Sequence, residues 1–243
     1  MCWVPYGGSE ALKGRYKAIF FDAGGTLIYA HFEEVFVNLC KRYGLVLDSE
    51  KVAEAYSLFA SENSDFFKKH NKLLAENWEE FWILCNRCIL EHVGVEDDTT
   101  SLAKRITHDF PLPTEIDWNF YSDVPDSLAG LKREGFVLGV ISNFDPSLED
   151  ILTELDLARY FETVATSKKV KYAKPDPRIF TTVLKDLTIR PEEAAYVGDS
   201  YDSDVVGARN AGLKPVLVDR KHEYGEVDCL KIASLGELLG LFS

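Results

Sequence analysis

Four short segments carry, in chain order, the polar side chains that chemistry on a phosphate requires. They are Phe21-Asp22-Ala23-Gly24-Gly25-Thr26, Val140-Ile141-Ser142-Asn143, Lys174-Pro175-Asp176-Pro177, and Val197-Gly198-Asp199-Ser200 with Asp202 and Asp204 soon after. The carboxyl ends of strands in a parallel sheet face one crevice. Segments placed there would gather two or more carboxylates, a hydroxyl with backbone N–H groups, and one lysine. Paired carboxylates hold Mg²⁺ through oxygen, and one of them can attack phosphorus as a nucleophile. A lysine and amide donors stabilise the equatorial oxygens of a transferring phosphoryl group as charge spreads over them. The set fits phosphoryl transfer.

Strands must deliver these groups. Ala18-Ile19-Phe20-Phe21 is an apolar run that ends at Asp22 and meets Gly24-Gly25, the pattern of a buried parallel strand presenting a side chain and then turning. Gly25 reads as a turn glycine with positive φ. From about residue 31 to about 112 only helical periodicity is present. Val35, Phe36, Leu39, Cys40 and Tyr43 share a face, and Val52, Tyr56 and Phe59 share another. Trp78, Phe81, Trp82, Cys85, Cys88, Ile89 and His92 form a third, and Leu102, Ile106 and Phe110 a fourth. About four amphipathic helices are predicted, closed by Pro111-Leu112-Pro113.

Strands and helices alternate from about residue 123. Pro125 suits the first turn of a helix that Gly135 ends. Phe136 to Ile141, Thr163 to Ala165, Ala194 to Val197 and Val216 to Val218 read as strands. Helices are expected from about Ser147, over Asp176 to Leu187, and over Asp202 to Ala211. Such alternation means βαβ units and a parallel sheet. The expected fold is α/β, a Rossmann-like parallel-sheet core over 1–28 and 114–243, with an all-helical domain inserted over 29–113. The N-terminal stretch through Lys17 reads as a short lead-in to the first strand.

Composition narrows the partners. With 27 Lys and Arg against 40 Asp and Glu, the formal charge of the 243-residue chain is −13. That argues against nucleic acid or an anionic membrane surface, because the chain repels phosphate at long range. A small phosphorylated substrate stays compatible, since one site can be locally positive. No apolar run approaches the roughly 18 residues of a spanning helix, and no signal-peptide core is visible. The five cysteines are odd in number and scattered, which suits a reducing compartment, with the cytoplasm as the default.

The order and spacing of Asp22-x-x-Gly25-Thr26, Ser142-Asn143, Lys174-Pro175 and Gly198-Asp199 through Asp204 resemble the four motifs of the haloacid dehalogenase (HAD) superfamily. The resemblance covers nearly the whole chain, including a helical cap domain between the first two motifs. It implies that Asp22 is the nucleophile, forms an aspartyl-phosphate and is a metal ligand. The carbonyl of Gly24 would be a second ligand and Asp199 would complete the Mg²⁺ site. Asp204 would lie in that site or just behind it, orienting a ligand water or Lys174. Ser142 would hydrogen-bond the transferring group, with the Asn143 N–H and Thr26 on the substrate side. Lys174 would neutralise charge between nucleophile and phosphate.

One position departs from the pattern. Two residues past the nucleophile, phosphatases of this superfamily carry a second Asp as general acid and base, and here Gly24 stands there. Substrates whose leaving group departs unprotonated, such as acyl or aryl phosphates, would suffer little from the change. Two readings besides a phosphatase therefore stay open at this point. One is a non-catalytic binding or regulatory protein on the same scaffold. The other is a metal-independent 2-haloacid dehalogenase, although Gly198-Asp199 retains a metal ligand that those enzymes lack. A phosphonatase-like route would instead need a cap lysine (Lys51, Lys68, Lys69 or Lys72), but charged helix faces carry lysines for solubility.

Other chemistry-bearing residues have simpler readings. Cys85 and Cys88 have zinc-like spacing, yet they lie in a helical apolar stripe with no second ligand pair, so packing is expected. The Trp78-Phe81-Trp82 stripe reads as helical core. His31, His70, His92, His108 and His222 are isolated, and only His31, just past the nucleophile loop, could face a crevice. Asp202, like Asp204, favours the start of a helix. Arg178 is expected to pair with an acidic neighbour.

Overall fold

The computed structural model describes residues 14–60 and 64–242, apart from the side chains of Asn71 and Ala75. Most of the N-terminal lead-in lies outside the described residues. In chain order, β1 (Ala18–Phe21) and β2 (Ile28–Ala30) precede five helices: α1 (Phe32–Arg42), α2 (Ser49–Phe59), α3 (Asp65–Glu76), α4 (Trp78–His92) and α5 (Thr99–Asp109). The chain continues through β3 (Trp118–Phe120), α6 (Val124–Arg133), β4 (Val137–Ser142), α7 (Leu148–Glu154), β5 (Thr163–Thr166), α8 (Ser167–Val170) and α9 (Pro177–Asp186). Then follow β6 (Ala194–Gly198), α10 (Val206–Asn210), β7 (Lys214–Val218), β8 (Leu230–Ile232) and α11 (Leu238–Phe242). The described residues divide into two compact units, 14–29 with 118–242, and those of 30–117.

In the first unit six strands pair in the order β5-β4-β1-β6-β7-β8, all parallel. The alternation of side chains along a strand decides the layers. Ile19 and Phe21 of β1, with Leu138 and Val140 of β4 and Val197 of β6, bury against Leu128 and Leu131 of α6, Ile151 of α7 and Phe242 of α11. Ala18 and Phe20 point the other way, joining Ile141 and Tyr196 against Ile179, Phe180 and Val183 of α9 and Ala208 of α10. Both faces of the sheet are thus covered by helices, as parallel strands require. Each fully buried Phe or Ile here contributes about 1.5–3 kcal/mol. Strand β1 has β4 on one side and β6 on the other. It is therefore the switch point at which an open α/β sheet forms its ligand crevice.

The helical unit has its own core, with Phe36, Leu39, Cys40, Val52, Ala55, Ile89, Leu90, Ala103 and Ile106 buried together. Side-chain caps mark four of its five helix starts: Asp48, Ser64, Asn77 and Asp98 each accept from a backbone N–H in the first turn. Five helices are present rather than about four. The extra one, α3, fully buries none of its described side chains, although Phe66, Phe67, Leu73 and Leu74 recur at helical spacing. The apolar face of α4 is narrower than its sequence suggests. Phe81, Cys85 and Ile89 are buried, but Trp78, the first residue of the helix, is 56% exposed.

Three further differences are local. A short strand, β8, follows Val216–Val218; its three residues include a lysine and form an edge, which leaves little apolar signature. A two-stranded pair, β2 with β3, lies outside the main sheet. The expected helix from Asp202 begins as a π-helical turn, Tyr201–Val205, before becoming α10. Among the described residues no helix is long and apolar enough to cross a membrane.

Candidate active site

Asp22 directly follows β1, and its N–H donates to the Val197 carbonyl at 2.9 Å, fixing the residue against β6. The chain then doubles back. The Leu27 and Ile28 N–H groups both donate to the Ala23 carbonyl, at 2.8 and 3.0 Å, and the Gly25 N–H donates to Ile28 at 2.9 Å. Gly25 carries φ +74°, and a Cβ there would stand 2.3 Å from Asp199 Oδ2. A side chain at that position would therefore displace the carboxylate. Gly24 is different: its φ lies outside the left-handed region and a Cβ would meet nothing within 4 Å. Ser142 ends β4 and Asp199 immediately follows β6.

Lys174 is the centre of the site. Its Nζ donates to Asp22 Oδ1 at 2.7 Å, to Asp204 Oδ1 at 2.6 Å and to the Tyr196 hydroxyl at 3.0 Å. The Lys174 and Asp204 side chains are 3% and 1% exposed, so this is a dry network. Burial by itself works against the ammonium, but Asp204 and then Asp22 outweigh it and hold Lys174 well above the ordinary lysine range. Burial also pushes the Tyr196 phenol far up, with Lys174 opposing. The phenol stays protonated and donates to the Ile141 carbonyl at 2.6 Å.

Asp22, Asp199 and Asp204 each offer an oxygen within 4.8 Å of the other two. An all-carboxylate set with no thiolate or imidazole selects a hard divalent cation. The three are not equivalent. Asp204 is already engaged on both sides, with Oδ1 held by Lys174 and Oδ2 accepting from the Ser200 N–H at 2.9 Å. The π-helical turn folds Asp204 back onto Ser200 in this way; such turns are frequent at functional sites. Burial pushes the Asp204 carboxyl up, and Lys174 pulls it down. A Cβ on Gly198 would lie 2.3 Å from the Asp204 carboxyl carbon, so only glycine admits this approach.

The structure thus brings Asp22, Lys174, Asp199 and Asp204 together. It also assigns Thr26 and Asn143 visible contacts. Thr26 Oγ1 donates to Asp199 Oδ1 at 3.3 Å, so the threonine serves the carboxylate. The Asn143 carboxamide is committed to Lys174, with Nδ2 donating to its carbonyl at 3.0 Å and Oδ1 accepting from its N–H at 2.7 Å. Asp202 is exposed on the π-helical turn, outside the carboxylate trio. Arg178 pairs with Asp176, Nε lying 3.0 Å from each carboxylate oxygen. In the helical unit His31 contacts Glu33 at 3.1 Å. Cys40, Cys85, Cys88 and Cys229 are free thiols, and burial pushes Cys40 and Cys85 up to about 12.

Three residues of this region were not anticipated from the sequence. Tyr196 is one; its signal was a polar-tipped side chain inside the buried run Ala194-Ala195-Tyr196-Val197. The others, Arg220 and Tyr224, lie past the end of β7, where sheet topology alone would have directed attention. Tyr224 donates its hydroxyl to the Asp199 carbonyl at 3.2 Å.

A helix-covered parallel sheet with carboxylates and a lysine at its switch point defines an α/β protein with an acidic ligand crevice. Residues 16–212 match the family model described as "Hydrolase: haloacid dehalogenase-like hydrolase", and the chain belongs to this family of hydrolases. Haloacid dehalogenase-like hydrolase domain-containing protein 3 of Mus musculus is 32% identical over 208 residues, 84% of this chain and 82% of that protein. Glyceraldehyde 3-phosphate phosphatase of Pyrococcus furiosus is 30% identical over 232 residues, 88% of this chain and 85% of the enzyme. The solved 2-haloacid dehalogenase of Pseudomonas syringae pv. Tomato DC3000 superposes with a TM-score of 0.57 at 22% identity, covering 93% of this chain and 97% of that one. A dehalogenase and this chain share the fold, so the fold does not choose the reaction. The side chains in the crevice must do that.

Proposed function

We propose that the chain is a Mg²⁺-dependent phosphohydrolase that works through an aspartyl-phosphate on Asp22 and acts on small phosphorylated molecules. The observation that carries this reading is the 2.7 Å contact of Lys174 with Asp22 inside a trio of carboxylates. Phosphatases among the sequence relatives support it. The acidic trio counts against metal-independent dehalogenation, because Lys174 balances only part of its negative charge and the remainder repels an anionic substrate unless a further cation joins the site.

The Asp22 carboxylate attacks phosphorus, and the bond from phosphorus to the leaving oxygen breaks with its electron pair departing on that oxygen. Lys174, fixed on Asp22 Oδ1, balances negative charge beside the transferring group. Ser142 and the Asn143 N–H stand as donors to the phosphoryl oxygens. Water then attacks the same phosphorus, the bond to Asp22 breaks, and phosphate leaves with the proton lost to solvent. The Asp22 and Asp199 carboxylates and the Gly24 carbonyl would hold Mg²⁺, with Asp204 behind them; the ion supplies further charge neutralisation.

Gly24 sets the substrate preference. A positioned acid/base is worth about 10²–10⁴-fold, or about 2.7–5.4 kcal/mol of barrier. Without one, turnover falls steeply as the leaving-group pKa rises. The test is a set of phosphate esters graded by that pKa, run on wild type, Gly24→Asp and Asp22→Asn. Aryl phosphates turn over in wild type, Gly24→Asp accelerates alkyl phosphates, and Asp22→Asn abolishes both. Binding of phosphate and Mg²⁺ with no turnover of any ester would instead make the chain a binding or regulatory protein. Halide release from a 2-haloacid that survives EDTA would make it a dehalogenase. The free thiols favour a cytoplasmic setting.

A further inference from the structure

The turn between β7 and β8 is built on Asp219. Its carboxylate accepts from the Glu223 N–H at 2.8 Å and the Tyr224 N–H at 3.2 Å, and Lys231 closes on it at 3.3 Å. Two side chains leave this turn toward the nucleophile region. Tyr224 takes the Asp199 carbonyl, at 3.2 Å. Arg220 goes the other way: Nη2 donates to the Thr26 carbonyl at 2.8 Å and Nη1 to Asp123 Oδ2 at 3.1 Å. Its guanidinium lies over Tyr121, the central carbon 3.9 Å from the ring centre. Asp123 is itself tied down, accepting from the Leu235 N–H at 2.6 Å.

Arg220 is expensive to keep here. Its side chain is 14% exposed, and Nε is buried without a hydrogen-bond partner. A buried ion pair of this kind is a poor source of net stability, because desolvation offsets most of the attraction. What the guanidinium does accomplish is geometric. It joins a fixed carboxylate, Asp123, to the carbonyl of the residue whose hydroxyl holds Asp199.

Resting on the Mg²⁺ site proposed above, the geometry points to Arg220 as a positioning residue for metal binding: through Thr26 it sets where the Asp199 carboxylate stands. Arg220 touches none of the reacting atoms. Its effect reaches the ion through two intervening contacts, Arg220 to Thr26 and Thr26 to Asp199. Groups behind metal ligands are commonly worth about 10–100-fold in affinity, and a group one contact further back belongs at the low end, about tenfold.

The experiment reads Mn²⁺ binding without substrate, from the electron paramagnetic resonance signal of the free ion, together with the thermal midpoint. Arg220→Met is expected to weaken Mn²⁺ binding about tenfold. Arg220→Lys keeps the charge but reaches one acceptor instead of two, and is expected to recover part of the loss. Wild-type affinity in folded Arg220→Met, even with a lowered midpoint, would reduce Arg220 to a structural ion pair and overturn the proposal. If Arg220→Met does not fold, Asp123→Leu gives the same reading: it removes Oδ2, the acceptor that anchors the guanidinium, in a side chain of similar shape, and unchanged Mn²⁺ affinity overturns the proposal equally. Wild type that binds neither Mn²⁺ nor Mg²⁺ removes the metal site itself, a result distinct from a site that Arg220 does not influence, and the proposal falls with it.

Discussion

The carboxamide of Asn143 grips the backbone of Lys174 at two points, spanning from the end of β4 to the loop before α9. That grip decides where the lysine stem begins, and so where its ammonium ends between Asp22 and Asp204. Asn143→Ala is expected to lower kcat about 10–100-fold, the scale of a misplacement near 1 Å. KM changes little, since Lys174 keeps its charge. Steady-state kinetics checks this, with a thermal melt to confirm that the variant is folded.

Lys174 also holds the fold together locally. Lys174→Met removes the ammonium that pairs with both Asp22 and Asp204, leaving buried carboxylates uncompensated. Breaking a buried pair from one side costs about 3–5 kcal/mol. The expected result is a matching fall in unfolding free energy by urea titration at neutral pH. The loss should shrink when Asp204→Asn is added, because the second change removes a charge that the first stranded.

These two residues show how far the sequence could be read. Lys174 was legible because a lysine before Pro175, ahead of a helix, falls between two other strand-end motifs in a fixed order. Its partners were legible for the same reason, since parallel strands bring their carboxyl ends together whatever lies between them. The role of Asn143 was not. Whether a strand-end amide faces a ligand or a neighbouring loop depends on a side-chain torsion, and no spacing encodes it. Arg220 and Tyr224 escaped for a different reason: their contacts run through the backbone carbonyls of Thr26 and Asp199, which carry no residue-type signature. Strand β8, at three residues, is too short for alternation to show, whereas the spacing of Phe66, Phe67, Leu73 and Leu74 made α3 legible as a helix.

Acid stability offers a test away from the crevice. Arg190, and then Lys17, hold the Glu193 carboxyl down from 4.5 to about 2, and Lys17 lies 2.7 Å from it. A carboxyl lowered on folding stabilises the native state fully above its unfolded value. That contribution is lost as pH falls from about 4.5 toward 2. Glu193→Gln is therefore expected to lower the thermal midpoint at neutral pH and to flatten its decline across that window. An unchanged acid limb would mean that the two cations do not couple Glu193 to folding.

Gly24 and Gly25 are neighbours with opposite tolerances. At Gly24 a Cβ has open space, whereas at Gly25 it meets Asp199 Oδ2 at 2.3 Å on a backbone with φ +74°. Gly24→Ala should leave stability and Mn²⁺ affinity near those of wild type, since nothing has to move. Gly25→Ala carries two penalties: the left-handed backbone costs an L-residue about 1–2 kcal/mol, and the carboxylate must swing away from the trio. It should therefore lower the melting temperature and weaken Mn²⁺ binding by about tenfold or more, as expected for a displaced oxygen ligand. Calorimetry and a metal titration on the two variants side by side separate these effects. If Gly25→Ala binds Mn²⁺ as wild type does, Asp199 is not a ligand, and the ion, if bound, must be held by other oxygens.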